Sequence, residues 1–268
     1  MNHTTLSTRN KESASHPLPR ATRSIAVVGL GYVGLPLAIL AHEKKLRVTG
    51  FDVDQTKVEA LKKRDAPFLG EAEHQQFAAS DITVDTDESV LDGADAYIIC
   101  VPTPVDEEHR PDLEPLRSAS RSVGRHIQKG ALVVVESTVN PGACEEVSLP
   151  IIEQESGLKA ERDFFFAHCP ERINPGDVKW NVRTIPRVIG ATGPKSLARA
   201  LELYRSIIEA EIVPMGNIKE AEAVKMVENS FRDVNIAFVN ELAMSFTKAG
   251  IDIVHVLRGA STKPFAFL

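Results

Sequence analysis

The sequence predicts an α/β protein: a doubly wound parallel sheet followed by a central domain built around one long helix. Three observations carry this. Apolar runs of strand length alternate with helical patterns from residue 24 to 215, the arrangement of a parallel sheet covered by helices on both faces. Most of those runs are continuously apolar rather than alternating, as in strands buried on both faces. From Asn217 onward no proline or glycine occurs before Gly250, which reads as a single helix of about 30 residues, well beyond the usual ~11–12.

The elements follow in order. "IAVVGL" (25–30) is the first strand, and "LPLAILAHEKK" (35–45) the helix that leaves it. "RVTGFDV" (47–53) and "QTKVEALKKR" (55–64) repeat the unit. "AYIICV" (96–101) is a strand, "EPLRSASRSVGRHIQ" (114–128) a helix, and "ALVVVEST" (131–138) a strand. Two further strands, "DFFFAHC" (163–169) and "PRVIGA" (186–191), precede the helix "PKSLARALELYRSII" (194–208) and the strand "AEIVPM" (210–215). Each helical segment places apolar residues three and four apart. The helix over 217–250 would protrude from a small domain unless a second domain or a second subunit packs along it. The expected organisation is a disordered tail over 1–22, a dinucleotide-binding domain over 23–215 and a central helical domain over 216–268.

Composition bounds the function. The 268 residues are 43% hydrophobic and 25% charged with net charge −6, so composition lends no electrostatic support to a nucleic-acid partner. The three cysteines, Cys100, Cys144 and Cys169, fit no metal spacing and no disulfide framework. No metal is expected, and a reducing, cytoplasmic compartment is the default. No stretch approaches the ~20 apolar residues of a membrane span. The first 22 residues are polar and lack the apolar centre of a secretory signal.

"G-L-G-Y-V-G" directly follows a strand and opens a helix. In that setting Gly29 permits a tight turn, Gly31 lets backbone approach a pyrophosphate, and Gly34 lets the helix pack against the strand. The helix N-terminus presents free amides to the phosphates. Asp52 ends the next strand, about 20 residues on, where a carboxylate takes the ribose hydroxyls. A carboxylate there repels a 2′-phosphate, and Lys57 is the nearest cation, so NAD is expected rather than NADP. The whole is a Rossmann-like unit, whose ligands bind beyond the carboxyl ends of the strands. Two such ends carry polar punctuation: Pro102-Thr103-Pro104, and Glu136-Ser137-Thr138. Thr138 reads equally as a ligand-binding hydroxyl and as a cap. "CPERINPGD" (169–177) places Glu171, Arg172 and Asn174 at another strand end as a binding loop. On the long helix Lys225 and Asn229 are four apart and share a face. A lysine at the mouth of such a cleft neutralises a developing oxyanion; a solvated helix face is the other reading.

Together "GLGYVGLPLA", "FDVD", "CVPTP", "ESTVNPG", "CPERINPGD" and "KMVENSFRDVNIAFVNELA" resemble the UDP-sugar 6-dehydrogenases, the nucleotide-sugar dehydrogenase family, in the family's order. "PERINPGD" and the terminal "ASTKPFAF" are most similar to the branch acting on UDP-N-acetylglucosamine, with UDP-N-acetylmannosamine second and UDP-glucose third. The resemblance implies oxidation of a C6 hydroxyl to the uronic acid by two hydride transfers to NAD, for polysaccharide precursor synthesis. It implies that Gly29, Gly31, Tyr32, Val33, Gly34, Asp52, Lys57, Pro102, Thr103, Ser137 and Thr138 hold NAD. Lys225 and Asn229 would steady the C6 oxygen, Glu171 would assist proton transfer and Thr138 would position a water. Glu171, Arg172, Asn174, Lys225 and Asn229 would contact the UDP-sugar, and the helix over 217–250 would form a homodimer.

The family's nucleophilic cysteine lies in a "GGHC"-like segment beyond the long helix, and this chain reaches Leu268 before it. The expectation is therefore a C-terminally truncated chain, without that cysteine or the UDP-binding domain and inactive alone. Two other readings stand beside it. One is a hydroxyacid or phosphogluconate-type dehydrogenase, against which "CPERINPGD" and "CVPTP" speak. The other is a non-catalytic NAD-binding or dimerisation module.

Overall fold

The computed structural model describes residues 22–173 and 180–264. The tail expected over 1–22 lies outside the described residues save for Thr22, as does Asn174. The described residues build eight strands: β1 (Ser24–Val28), β2 (Arg47–Phe51), β3 (Thr83–Asp85), β4 (Ala96–Ile99), β5 (Leu132–Val135), β6 (Phe165–His168), β7 (Arg187–Ala191) and β8 (Ile212–Pro214). They form one sheet in the order β3-β2-β1-β4-β5-β6-β7-β8. The reversal between β1 and β4, both leaving at their carboxyl ends, is the crevice where ligands bind in such sheets.

Side chains alternate through the sheet and feed two cores. Ile25 and Val27 of β1 join the layer containing α1 (Gly34–Glu43), α2 (Gln55–Lys62), α3 (Glu71–Ala78) and α6 (Pro194–Ile207). Ala26 and Val28 join the layer containing α4 (Glu114–His126) and α5 (Leu149–Ser156), which a short π turn (Cys144–Ser148) introduces. With both faces covered, the continuous apolar runs have their explanation.

One junction departs from the parallel sheet the sequence predicts: β7 runs antiparallel to β6, with Ala167 opposite Ala191. Parallel neighbours need a crossover of a dozen or more residues, usually a helix. The connection between these two carries prolines at 170, 175 and 186 and no helical periodicity, so the chain turns back. From β7, α6 then makes a crossover to the parallel β8. Strand β3 has no counterpart among the runs the sequence marks out; it has three residues, of which only Val84 is buried, too short for periodicity to register.

The long helix is α7 (Ile218–Lys248), 31 residues. Its start is sharply defined. Asn217 Oδ1 accepts from the Glu220 amide at 2.9 Å, and Glu220 Oε2 accepts from the Gly216 amide at 2.8 Å, a reciprocal cap. Only Ile218, Ala221 and Glu222 are buried. Glu222 is fully enclosed, its carboxylate accepting from the amides of Gly142 (2.6 Å) and Cys144 (2.9 Å) at the turn after β5. A final helix, α8 (Ile253–Ser261), folds back beside α7. Among the described residues no helix is long and apolar enough to cross a membrane.

Candidate functional site

The turn from β1 to α1 explains its glycines one by one. Gly29 has φ +94°, and a Cβ there would lie 2.7 Å from the Cys100 carbonyl oxygen; both conformation and space exclude a side chain. A Cβ on Gly34 would lie 1.9 Å from the Gly29 oxygen, so this is where α1 closes on its own turn. Gly31 is the opposite case: nothing lies within 4 Å of its Cβ position. Its flank is open toward the cleft. No side chain caps α1 and its first turn holds no acid, so its leading amides are available to an anion.

Asp52 follows β2 and is nearly buried, at 6% exposure. Its Oδ2 accepts from the Leu30 amide at 2.8 Å and from Lys57 Nζ at 2.8 Å, and its Oδ1 from the Asp54 amide at 3.0 Å. The carboxylate is therefore fixed at one end of the cleft, with Lys57 as a removable cover from the first turn of α2. The exits of β4 and β5 are laced together. Thr103 Oγ1 donates to the Thr138 carbonyl at 2.6 Å, and Ser137 Oγ donates to the Val101 carbonyl at 2.7 Å.

These pieces enclose one cavity of about 500 Å³, within the size range of small-ligand sites. Gly29, Gly31, Tyr32, Val33, Asp52 and Lys57 line one side, and Pro102, Thr103, Ser137, Thr138 and Glu171 the other. Gly34 lies beneath the lining. Tyr32, 65% exposed, meets Phe68 edge-to-face at 5.2 Å, and this pair flanks the mouth. Glu136, at the strand end the sequence marks beside Ser137 and Thr138, also lines the cavity, as do Phe68, Cys100 and Val101, to which the sequence assigns no site role.

Behind the far end lies a buried ionic cluster. Arg187, at the start of β7, has no exposed surface. Its Nη1 is 3.3 Å from Glu136 Oε2 and 2.8 Å from Glu171 Oε2. Tyr204 of α6 donates its hydroxyl to Glu136 Oε1. Burial pushes the Glu136 carboxyl up to about 7, against the pull of Arg187. Burial also opposes the charge of Arg187, but Glu136 and Glu171 outweigh it and hold the guanidinium protonated. Glu171 Oε1 accepts from the Arg172 and Ile173 amides. Arg172 turns away from the cavity, donating to the Pro186 carbonyl at 2.8 Å and pairing with Glu228 of α7. It acts as a strut between the binding loop and the long helix.

Lys225 of α7 is half-buried; desolvation pushes it below the usual lysine range while Glu171 and Glu228 oppose the shift. Asn229, one turn on, accepts from Arg232 at 2.9 Å through Oδ1. Neither lines the 500 Å³ cavity. All three cysteines are buried, and burial pushes each thiol well above its ordinary value, so none presents a thiolate. Among the described residues no group of three or more His, Cys, Asp or Glu is arranged to hold a metal ion.

Comparison with known proteins follows the same division of the chain. The NAD binding domain of the UDP-glucose/GDP-mannose dehydrogenase family matches residues 23–208, and the central domain of that family matches residues 219–268. UDP-N-acetyl-D-glucosamine 6-dehydrogenase of Pseudomonas aeruginosa is 44% identical over 239 residues, 89% of this chain and 56% of the relative. UDP-N-acetyl-D-mannosamine dehydrogenase of Yersinia pestis is 38% identical over 251 residues, 90% of this chain and 59% of the relative. The solved structure of UDP-D-ManNAc dehydrogenase from Pyrococcus horikoshii aligns with TM-score 0.85 at 34% identity, over 91% of this chain and 58% of that one. The chain thus spans between 56 and 59% of the length of these relatives.

Proposed function

This chain belongs to the UDP-glucose/GDP-mannose dehydrogenase family, and from that premise we propose that it serves the NAD-dependent oxidation of a UDP-N-acetylhexosamine at C6. The product is the uronic acid, reached by two hydride transfers, in the cytoplasm, as a polysaccharide precursor. The substrate assigned is UDP-N-acetylglucosamine. What carries the reading is the cleft that has an amide cradle and Asp52 at one end and Thr138 and Glu171 at the other. The greater identity to the P. aeruginosa relative than to the Y. pestis one supports the choice of sugar.

Gly31 and the uncapped start of α1 fit a diphosphate, and Asp52 fits the adenosine ribose once Lys57 yields one contact. Bound there, NAD supplies the hydride acceptor for both oxidations. Glu171, its Oε1 fixed by two amides, takes the C6 hydroxyl proton at the first oxidation. Lys225 and Asn229 donate to the C6 oxygen and steady the charge it gains. Thr138 places the water consumed in the second stage. Assay of the protein expressed from its complete reading frame tests this: UDP-N-acetylglucosamine is expected to yield two NADH per sugar. Turnover only with UDP-N-acetylmannosamine or UDP-glucose would move the substrate assignment; turnover with none of the three would remove the function.

We also infer a homodimer through the helix over 217–250. Val227, Phe231, Val234, Ile236 and Phe238 are each more than half exposed on α7, and an apolar groove of about 1130 Å³ runs between α7 and α8. A second copy of α7 would cover this apolar surface, as in a two-fold interface. Sedimentation equilibrium is expected to give the dimer mass, and Phe238→Asp the monomer; a native monomer at micromolar concentration rules the dimer out.

A further inference from the structure

The two ends of the cleft differ in charge and in access to solvent. Asp52 marks the adenosine end, so a dinucleotide lying along the cavity places its nicotinamide by Glu136, Ser137, Thr138 and Glu171. That ring is cationic in the oxidised cofactor and neutral in the reduced one. The wall beside it is formed by two carboxylates sharing one enclosed guanidinium, with Glu136 fully buried and Glu171 6% exposed. We propose that the Glu136–Arg187–Glu171 cluster makes the cleft sensitive to the redox state of its cofactor, a proton entering the cluster when the reduced form binds and leaving when the oxidised form binds. This rests on the NAD reading of the cleft.

The groups facing the cluster single out Glu136. The Cys100 and Cys169 thiols and the Tyr204 hydroxyl are raised well above their ordinary values, chiefly by burial, and stay neutral. Arg187 stays charged, and Glu171 is bound to it and to two amides. On α7, Lys225 faces Glu171 from a half-buried position, and Glu228 is tied to Arg172; Arg232 beyond them is exposed and screened by solvent. Glu136 is the carboxyl without backbone amide donors, and its charged form is opposed by burial and by Glu171. Losing its proton adds one negative charge beside the ring, which favours the cation.

The experiment is equilibrium titration of the full chain with NAD+ and, separately, with NADH over a range of pH. The ratio of their dissociation constants, oxidised over reduced, is expected to fall about tenfold from about pH 6 to 8.5, equivalent to one pK unit of coupling. Glu136→Gln is expected to flatten the ratio. Tyr204→Phe removes the hydroxyl that supports the ionised carboxylate and is expected to move the inflection to higher pH; it serves where Glu136→Gln does not fold. Binding of both cofactors with a ratio independent of pH, or a native profile in Glu136→Gln, overturns the proposal while leaving the cleft's cofactor in place. Failure of the native chain to bind either form overturns both.

Discussion

Replacing Glu136 by Gln removes a titration that the folded protein carries at a stability cost. In the native fold, burial raises this carboxyl from an ordinary 4.5 to about 7. The folded state therefore keeps a proton between those values that the unfolded chain has released. Where the folded state binds more protons, stability falls as pH rises. Over that span of about 2.5 pH units, at roughly 1.4 kcal/mol each, Glu136 withdraws up to about 3–4 kcal/mol. Below the lower value its effect is constant, and above the upper one the loss is complete. Glu136→Gln has no such loss. At the low end of the window both side chains are neutral, so the variant starts close to the native protein and should gain on it as pH rises from about 4.5 to 7. Urea unfolding of both proteins at half-unit pH intervals reads the difference, from which titrations common to both cancel. A stability difference unchanged across the window would refute the reasoning, as would one that moves in favour of the native protein.

Asp52→Ala should weaken NAD by roughly 1–3 kcal/mol, the value of a lost charged hydrogen-bond partner, measured by calorimetric titration; unchanged affinity rejects the ribose assignment. Gly31→Val and Gly34→Ala should divide cleanly. The first enters open space and should leave the melting temperature alone while lowering NAD affinity tenfold or more, about 1.4 kcal/mol. The second meets the Gly29 oxygen and should cost about 1–3 kcal/mol of stability by overpacking, read by urea unfolding. Glu222→Ala strips the partner from two buried amides and should destabilise by about 2–6 kcal/mol at roughly 1–3 per orphaned group; a melting temperature within a degree of native would show that the carboxylate is dispensable.

What was legible in the sequence was local. The glycine turn, Asp52 and Lys57 lie within one strand–helix–strand unit and the first turn of the helix after it, where residue order and spatial order coincide. The strand ends at Thr103, Ser137 and Thr138 were legible because in a parallel sheet every carboxyl end opens on the same edge. The Arg187 cluster was not. Its members come from the exit of β5, the loop after β6, β7 and α6, with Glu136 and Tyr204 separated by 68 positions. No spacing signals such a meeting, and an arginine opening a strand reads as a solvated edge, since enclosed arginines are rare. Phe68 escaped for the same reason, reaching the cleft from an irregular segment before α3. The return of β7 was legible only as the lack of a crossover helix, a weaker sign than a motif.

The clasp of Glu222 on the turn after β5 makes α7 a boom with its fulcrum three residues before Lys225. Lys225 is about 4.5 Å of helix rise from that fulcrum and Lys248 about 39 Å, so a swing of roughly 10° displaces the first by under about 1 Å and the second by about 7 Å. The shaft can thus adjust its tip to whatever it meets without disturbing the lysine next to the cleft. Loosening the clasp would blur that lysine's position before any contact at the far end had changed.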